Sequence, residues 1–112
     1  MMMPTKPLFD RGTTPHLTFW VKDQTFDLTL PVDTNVTISQ GGTRIEKSGV
    51  DVEINPETHE ITAFYTQEET LRLCAGLAEY QINWLFANGL RADSGEPCPF
   101  TIGRTLLGRV MA

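Results

Sequence analysis

The stretch NVTISQGGTRIEK, residues 35–47, is the clearest structural signal in the chain. Two runs rich in β-branched residues flank Gly41 and Gly42, and a glycine pair readily adopts the positive φ angles of a two-residue hairpin turn. Folding the chain about this pair sets Ile38 opposite Ile45 and brings the apolar side chains to one face, as a correct register requires. The stretch therefore predicts a β-hairpin with one buried face.

Alternation of apolar and polar residues recurs on both sides of this hairpin. It predicts further strands at residues 16–21, 25–30, 50–54, 60–65, 77–86 and 99–103, the last as an edge strand. Pro56 predicts a turn between two of these strands, and Asn88-Gly89 predicts a hairpin that leads into residues 90–94. Short strands with regularly spaced turn signals are typical of an antiparallel β-sandwich, which is an all-β fold.

One short helix is predicted within this β pattern, in TQEETLRLCAG, residues 66–76. Thr66 suits the N-cap and Glu69 completes a capping box, while Glu68 and Glu69 favour the positive end of the helix dipole. Leu71, Leu73 and Cys74 give the helix an apolar side, and Gly76 suits the position just after its last residue. We expect a packed, structural helix at about residues 67–75 that connects one sheet with the other. A catalytic role for Glu68 or Glu69 would require a nucleophile or a metal nearby, whereas capping already accounts for both.

Length and composition predict one globular domain. The chain has 112 residues, enough for one core but not two, and we expect an N-terminal arm at residues 1–10 followed by a single domain at 11–112. The net charge of −5 argues against a nucleic-acid partner, which would need a basic surface. Cys74 and Cys98 lack the spacing of a metal or redox motif. No signal peptide or membrane span is predicted.

Aromatic residues raise the possibility of a sugar-binding surface. Trp20, Trp84, Tyr65, Tyr80 and Phe86 could together form such a platform, because aromatic rings offer large apolar faces. They follow strand periodicity, however, so packing in the core is favoured for most of them. A carbohydrate-binding surface therefore remains the alternative to a purely structural role.

No catalytic residue, metal site or cofactor is predicted. Glu57, His59 and Glu60 could hold a divalent cation, but a solvated turn is favoured because no second His or Cys has the spacing to complete a ligand shell. No serine lies in a GxSxG context and no glycine-rich loop precedes a helix, so acyl transfer and nucleotide binding find no support. The sequence therefore predicts a protein that is not an enzyme.

Several segments, taken in order, resemble a group of small proteins encoded in phage and prophage genomes of Gram-positive bacteria. They are RGTTPHLTF (residues 11–19), TISQGGTRIEKSG (37–49), YTQEETLRL (65–73), AEYQINWLFANGLRADS (78–94) and TIGRTL (101–106). That group is similar to the immunoglobulin-like N-terminal domain of phage baseplate upper proteins, and the resemblance covers residues 11–110. It departs at GEPCP, residues 95–99, where relatives run directly into the last strand. The resemblance implies an immunoglobulin-like β-sandwich in a tail-associated structural module, with no catalytic residues to transfer.

The C-terminal segment RTLLGRVMA, residues 104–112, is more apolar than a solvated terminus would be. Its apolar side chains, which a sandwich of this size does not need for its own core, are Leu106, Leu107, Val110 and Met111. We expect these residues to form a contact, either with the rest of the same domain or with another subunit. An open sandwich also presents edge strands that can accept a partner.

The function expected from these observations is that of a non-enzymatic structural or assembly module of a phage or prophage tail or baseplate. It would act through contacts with other tail proteins or with a second copy of itself, and would require no cofactor, nucleic acid or membrane. We expect it in the virion tail, after assembly in the cytoplasm of the host bacterium. The alternative is a carbohydrate-binding module for a glycan of the host cell wall.

Overall fold

The computed structural model describes residues 7–104, which form nine β-strands and one short α-helix. In chain order these are β1 (Phe9–Asp10), β2 (His16–Trp20), β3 (Pro31–Gln40), β4 (Thr43–Lys47), β5 (Val52–Asn55), β6 (Glu60–Phe64), α1 (Gln67–Leu71), β7 (Gly76–Phe86), β8 (Arg91–Asp93) and β9 (Cys98–Gly103). A single 3-10 turn, Gly49–Asp51, follows β4. The protein is therefore mostly β with one short helix, as the sequence predicts.

The strands form two sheets of unequal size. The larger, curled sheet has the order β1-β9-β7-β3-β4, with β8 pairing a second stretch of β7, and the smaller has the order β2-β6-β5. Every pairing is antiparallel except that of β1 with β9, which is parallel. The expectation of a wholly antiparallel architecture is thus wrong for the larger sheet, which is mixed, because a strand from the beginning of the chain joins its edge.

The predicted hairpin is confirmed in its register. Ile38 lies opposite Ile45, and Gln40 lies opposite Thr43 across the glycine turn, where Gly41 has a φ of +57°. The hairpins of β5 with β6 and of β7 with β8 also occupy the predicted segments. Local turn chemistry combined with alternation was sufficient to position these pairs.

One apolar core joins the inner faces of both sheets. Its members are Phe9, Leu17, Phe19, Leu28, Val36, Ile38, Ile45, Ile61, Ala63, Tyr65, Leu73, Ala78, Ile82, Trp84 and Ile102. Alternate residues of β7 face this core as predicted, with Ala78, Ile82 and Trp84 buried and Tyr80 half-buried. Burial of these side chains on one shared core is the main source of stability in a protein of this size.

The segment at residues 25–30, predicted as a strand, forms two consecutive turns instead. Asp23 Oδ1 accepts hydrogen bonds from the backbone N–H and the hydroxyl of Thr25, at 3.0 and 2.6 Å. Asp27 Oδ1 accepts the equivalent pair from Thr29, at 2.9 and 2.7 Å. Aspartate side chains that bond the backbone two residues on stabilise turns, so these local bonds outweigh the apolar alternation that indicated a strand.

Helix α1 begins as predicted and ends earlier. Thr66 Oγ1 accepts the N–H of Glu69 and Glu69 Oε1 accepts the N–H of Thr66 at 2.9 Å, which completes the capping box. The helix ends at Leu71 rather than near residue 75, with Arg72 as its C-cap. Gly76, expected just after the helix, is instead the first residue of β7, with a φ of +120°. The helix does connect the smaller sheet with the larger one.

An arginine from the N-terminal part of the chain binds the end of the helix. The guanidinium group of Arg11 donates to the carbonyl oxygens of Leu73 and Leu71 at 2.6 and 2.8 Å. The hydroxyl of Thr70, which is fully buried, donates to the carbonyl of Thr13 at 2.7 Å. The bonds from Arg11 satisfy one carbonyl at the end of the helix and one just beyond it. Together with the Thr70 bond they hold α1 against the segment between β1 and β2.

A buried lysine also holds the helix. Lys47, the last residue of β4, is 6% exposed, and its ammonium group lies 2.5 Å from the carboxylate of Glu69 in α1 and 4.0 Å from that of Asp51. The ammonium also lies 5.6 Å from the centre of the Tyr65 ring. Burial, and then the charge of Glu69, raise the pKa of Tyr65 well above its ordinary value. The sequence pattern does not predict this cluster, since a lysine is rarely buried.

The two ends of the described chain lie side by side in the larger sheet. Strand β9, predicted at an edge, has β7 on one side and β1 on the other. Phe9 and Asp10, the last residues of the predicted N-terminal arm, form β1, and Phe9 is part of the core. The edge position predicted for β9 is therefore wrong, because a strand of only two residues gives no sequence signal.

Candidate functional site

The structure contains a cleft of about 470 Å³ between β7 and the segment that follows β2. We call it the aromatic cleft and define it by Trp20, Asp23, Phe26, Tyr80, Trp84 and Asp93. Its volume lies in the range of small-molecule binding sites. Strand β7 supplies Tyr80 and Trp84 on one side, the tandem turns supply Phe26 opposite them, and the end of β8 supplies Asp93.

The first of the two tandem turns places Phe26 in the cleft. The N–H of Phe26 donates to the carbonyl of Asp23 at 3.2 Å, which closes the turn that the Asp23 side chain stabilises. The Phe26 ring then lies 4.7 Å from the Trp84 ring, with an angle of 43° between their planes. This offset arrangement is a favourable one for aromatic pairs. A turn that the sequence analysis did not predict thus forms one wall of the cleft.

The five aromatic residues singled out from the sequence differ in exposure. Trp84 and Tyr65 are buried, as core packing requires, and Tyr80 and Phe86 are half-buried. Trp20 is the exception, with 67% of its surface exposed. Of the five, Trp20, Tyr80 and Trp84 line the aromatic cleft. The structure therefore brings three of the predicted platform residues together, although one of them also belongs to the core.

Two carboxylates lie at the edge of the cleft, each held by its own turn. Asp23 uses one oxygen to accept both bonds from Thr25, and these bonds lower the pKa of its carboxyl group. Asp93 uses one oxygen to accept the N–H of Gly95 at 2.9 Å. Within residues 7–104, the second oxygen of each carboxylate has no hydrogen-bond partner. Both side chains are thus oriented while one acceptor on each remains free.

The indole of Trp84 carries an unpaired donor. Its Nε1–H is buried and has no acceptor in the described part of the chain. A buried donor without a partner costs about 1–3 kcal/mol, so native proteins leave few of them. Tyr80 lies four residues earlier on the same strand. Its pKa is raised mainly by burial and further by the neighbouring thiol of Cys98.

A second feature is a row of three residues on the outer face of the larger sheet, two of which are exposed leucines. The N–H of Leu8 donates to the carbonyl of Thr101 at 2.8 Å, and Thr101 pairs with Leu77 across β9 and β7. We call Leu8, Thr101 and Leu77 the outer row. Leu8 is 48% exposed and Leu77 is 70% exposed, whereas the residue that follows each of them in the chain, Phe9 or Ala78, is buried. The outer row therefore points away from the core.

The residues predicted to contact a partner lie outside the described part of the chain. Leu106, Leu107, Val110 and Met111 follow Arg104, the last described residue. The chain leaves β9 at Gly103, two residues beyond Thr101 of the outer row. The predicted contact of these four residues thus stays a prediction.

The residues considered for a metal ion form a turn. Asn55 Oδ1 accepts the backbone N–H groups of Glu57 and Thr58 at 3.1 and 3.3 Å, and His59 has a φ of +57°. No group of three His, Cys, Asp or Glu side chains within residues 7–104 is arranged to hold a metal ion. The turn favoured by the sequence is confirmed. Cys74 and Cys98 are exposed and not joined in a disulfide.

Two further findings concern the chain as a whole. Among the helices of the described residues, none has the length and apolar character needed to span a membrane. Comparison of the chain with models of protein families, with curated proteins and with solved structures finds no match in any of the three.

Proposed function

We propose that this protein is a non-enzymatic structural or assembly module of a phage or prophage tail or baseplate, and that its two sheets are those of an immunoglobulin-like β-sandwich. Support for the phage context comes from the five sequence segments that resemble small phage and prophage proteins. On this proposal the protein assembles in the host bacterial cytoplasm, becomes part of the virion tail and works through protein–protein contacts.

The observation that carries the proposed contact is the outer row. Leu8, which precedes β1, and Leu77 of β7 lie on either side of β9, where they expose apolar surface on the same face across Thr101. Apolar surface that is grouped rather than scattered is typical of interaction sites. The row also lies near the point where the chain leaves β9 toward Leu106 and Leu107. We infer that the outer row and the C-terminal segment together contact a second copy of this chain.

The mass of the protein in solution tests this contact. The full chain should form an oligomer that is lost in the double variant Leu8→Ser/Leu77→Ser and after deletion of residues 106–112. Val50→Ser is the matched control, because Val50 is 97% exposed and follows β4 at the opposite edge of the same sheet. A full chain that is monomeric throughout, or an oligomer that survives both changes, would contradict the inference.

The genes that lie beside this one test the phage context separately. Neighbours that encode tail-fibre proteins, a holin and an endolysin are expected on this proposal. A neighbourhood of metabolic genes, in a genome region without phage genes, would count against it even if the chain self-associates.

A further inference from the structure

We propose that the aromatic cleft binds a monovalent organic cation, in which an ammonium group is carried on carbon. This activity is separate from the subunit contact proposed above, because the cleft and the outer row share no residue. The proposal depends on two features of the cleft taken together: aromatic rings that remain partly accessible, and an excess of negative charge at the edge.

Two pairs of aromatic rings line the cleft. The Phe26 ring lies 4.7 Å from the Trp84 ring, and the Phe19 ring lies 4.6 Å from the Tyr80 ring. In each pair one member is buried, Trp84 or Phe19, while the other, Phe26 or Tyr80, is half-buried and keeps accessible surface. An aromatic ring attracts a cation placed over its face. A ligand at Phe26 and Tyr80 therefore gains this attraction, in addition to apolar burial, only if it carries a positive charge.

The charged side chains of the cleft favour the same sign. Asp23 and Asp93 each fix one oxygen in a turn and keep the other free within residues 7–104. Lys22 also lines the cleft, but it forms no ion pair with either carboxylate in the described part of the chain. Two carboxylates and one ammonium group leave one negative charge in excess, which a single positive charge on a ligand would neutralise.

Other ligand classes match only one of the two features. An anion would be repelled by the carboxylates, in a chain of net charge −5. A hydrocarbon would cover the rings, but it would also displace water from the carboxylates without replacing the lost hydrogen bonds. A metal ion such as Na⁺ has no apolar surface with which to cover the rings. An organic ammonium ion combines apolar surface with a positive charge, so it suits both the rings and the carboxylates.

Intrinsic fluorescence can test the proposal directly, since both tryptophans of the chain line the cleft. The intact protein is titrated with choline chloride, with n-butylammonium chloride and with 3,3-dimethyl-1-butanol, which has the shape of choline without its charge. Sodium chloride keeps the ionic strength constant. At least one of the two cations should give a saturable change with a midpoint about tenfold or more below that of the alcohol, and the two cations distinguish a quaternary from a primary ammonium group. No saturable response to either cation, or an equal midpoint for the alcohol, would overturn the proposal.

Two variants with opposite expected effects connect such a response with the cleft. Asp93→Asn keeps the shape and an oxygen that can accept the N–H of Gly95, but it removes a negative charge and should weaken binding of the cation by about fivefold. Lys22→Gln removes the competing positive charge and should strengthen binding by a similar factor. Asp33→Asn is the control, because Asp33 is exposed on β3 and does not line the cleft, so the midpoint should stay at the wild-type value.

The three substituted side chains are exposed, so each variant should fold with the Tm of the wild type, and binding can be compared directly. The midpoint for the neutral alcohol should be the same in all of them. Equal weakening in Asp93→Asn and Asp33→Asn would show that the net charge of the chain, rather than the cleft, attracts the cation. That result, or a Lys22→Gln variant that binds the cation no more tightly than the wild type, sinks the proposal.

Discussion

Replacing Glu69 by glutamine isolates the charge that pairs with buried Lys47. A glutamine at this position still completes a capping box with Thr66, so the N-terminus of α1 keeps its hydrogen bonds. The ammonium group of Lys47, whose side chain is 7% exposed, then retains only the more distant and exposed carboxylate of Asp51 at 4.0 Å. The substitution therefore tests the cost of leaving one buried charge without its main partner.

The size of the effect follows from the burial of each partner. Removing one member of a buried ion pair costs roughly 3–5 kcal/mol. The side chain of Glu69 is 23% exposed and Asp51 remains, so we expect the smaller loss of about 2–3 kcal/mol for Glu69→Gln. This corresponds to a fall in Tm of about 10 °C. Lys47→Met removes the buried charge itself, and should cost less than about 1 kcal/mol, because apolar replacements of buried ions are often neutral.

Chemical denaturation followed by circular dichroism measures these differences. Glu68→Gln is the matched control, since Glu68 lies in the same helical turn but is exposed. Lys47→Met/Glu69→Gln should be more stable than Glu69→Gln alone, because the unpaired charge is gone. Equal stability of wild type and Glu69→Gln, or a loss in Lys47→Met as large as that in Glu69→Gln, would refute the reasoning.

The pH dependence gives a second measure of the same pair. Burial alone would raise the pKa of Glu69, but hydrogen bonds from Lys47 and Thr66 outweigh it and lower the pKa. A carboxyl group with a lowered pKa in the folded state stabilises the protein fully above its unfolded value of about 4.3, and this contribution is lost as the pH falls through the folded pKa. The stability difference between wild type and Glu69→Gln should therefore shrink on acidification below that value.

Three further substitutions test the parts of the structure that hold the helix and the core. Thr66→Ala should lower the free energy of unfolding by about 1 kcal/mol and leave the solution mass unchanged, whereas an altered solution mass at unchanged Tm would contradict a purely structural helix. Arg11→Met removes the bonds to the carbonyls of Leu71 and Leu73 and should cost about 2 kcal/mol in a denaturant titration; an unchanged midpoint would show that these bonds are not stabilising. Trp84→Ala should cost about 3–5 kcal/mol, and a folded variant of normal Tm would place this side chain outside the core.

The sequence predicted those parts of the fold that depend on neighbouring residues. The glycine hairpin, the Asn88-Gly89 hairpin and the capping box each combine a turn or cap residue with a partner a few positions away. The parallel pairing of β1 with β9 and the contact of Arg11 with the end of α1 join residues far apart in the chain. Nothing in the local pattern of Phe9 or Arg11 indicates the distant partner, so neither contact was predicted.

The aromatic cleft depends on the segment that alternation misassigned. In a strand, Phe26, Leu28 and Leu30 would all face one side of a sheet. Because Asp23 and Asp27 each close a turn, these three side chains separate instead: Phe26 lies against Trp84, Leu28 enters the core and Leu30 remains 62% exposed. The signal for this arrangement was present as two aspartates, each followed two residues later by a threonine, and each pair forms its hydrogen bonds locally. The cleft wall therefore has its origin in one short repeat of aspartate and threonine, which apolar periodicity alone does not detect.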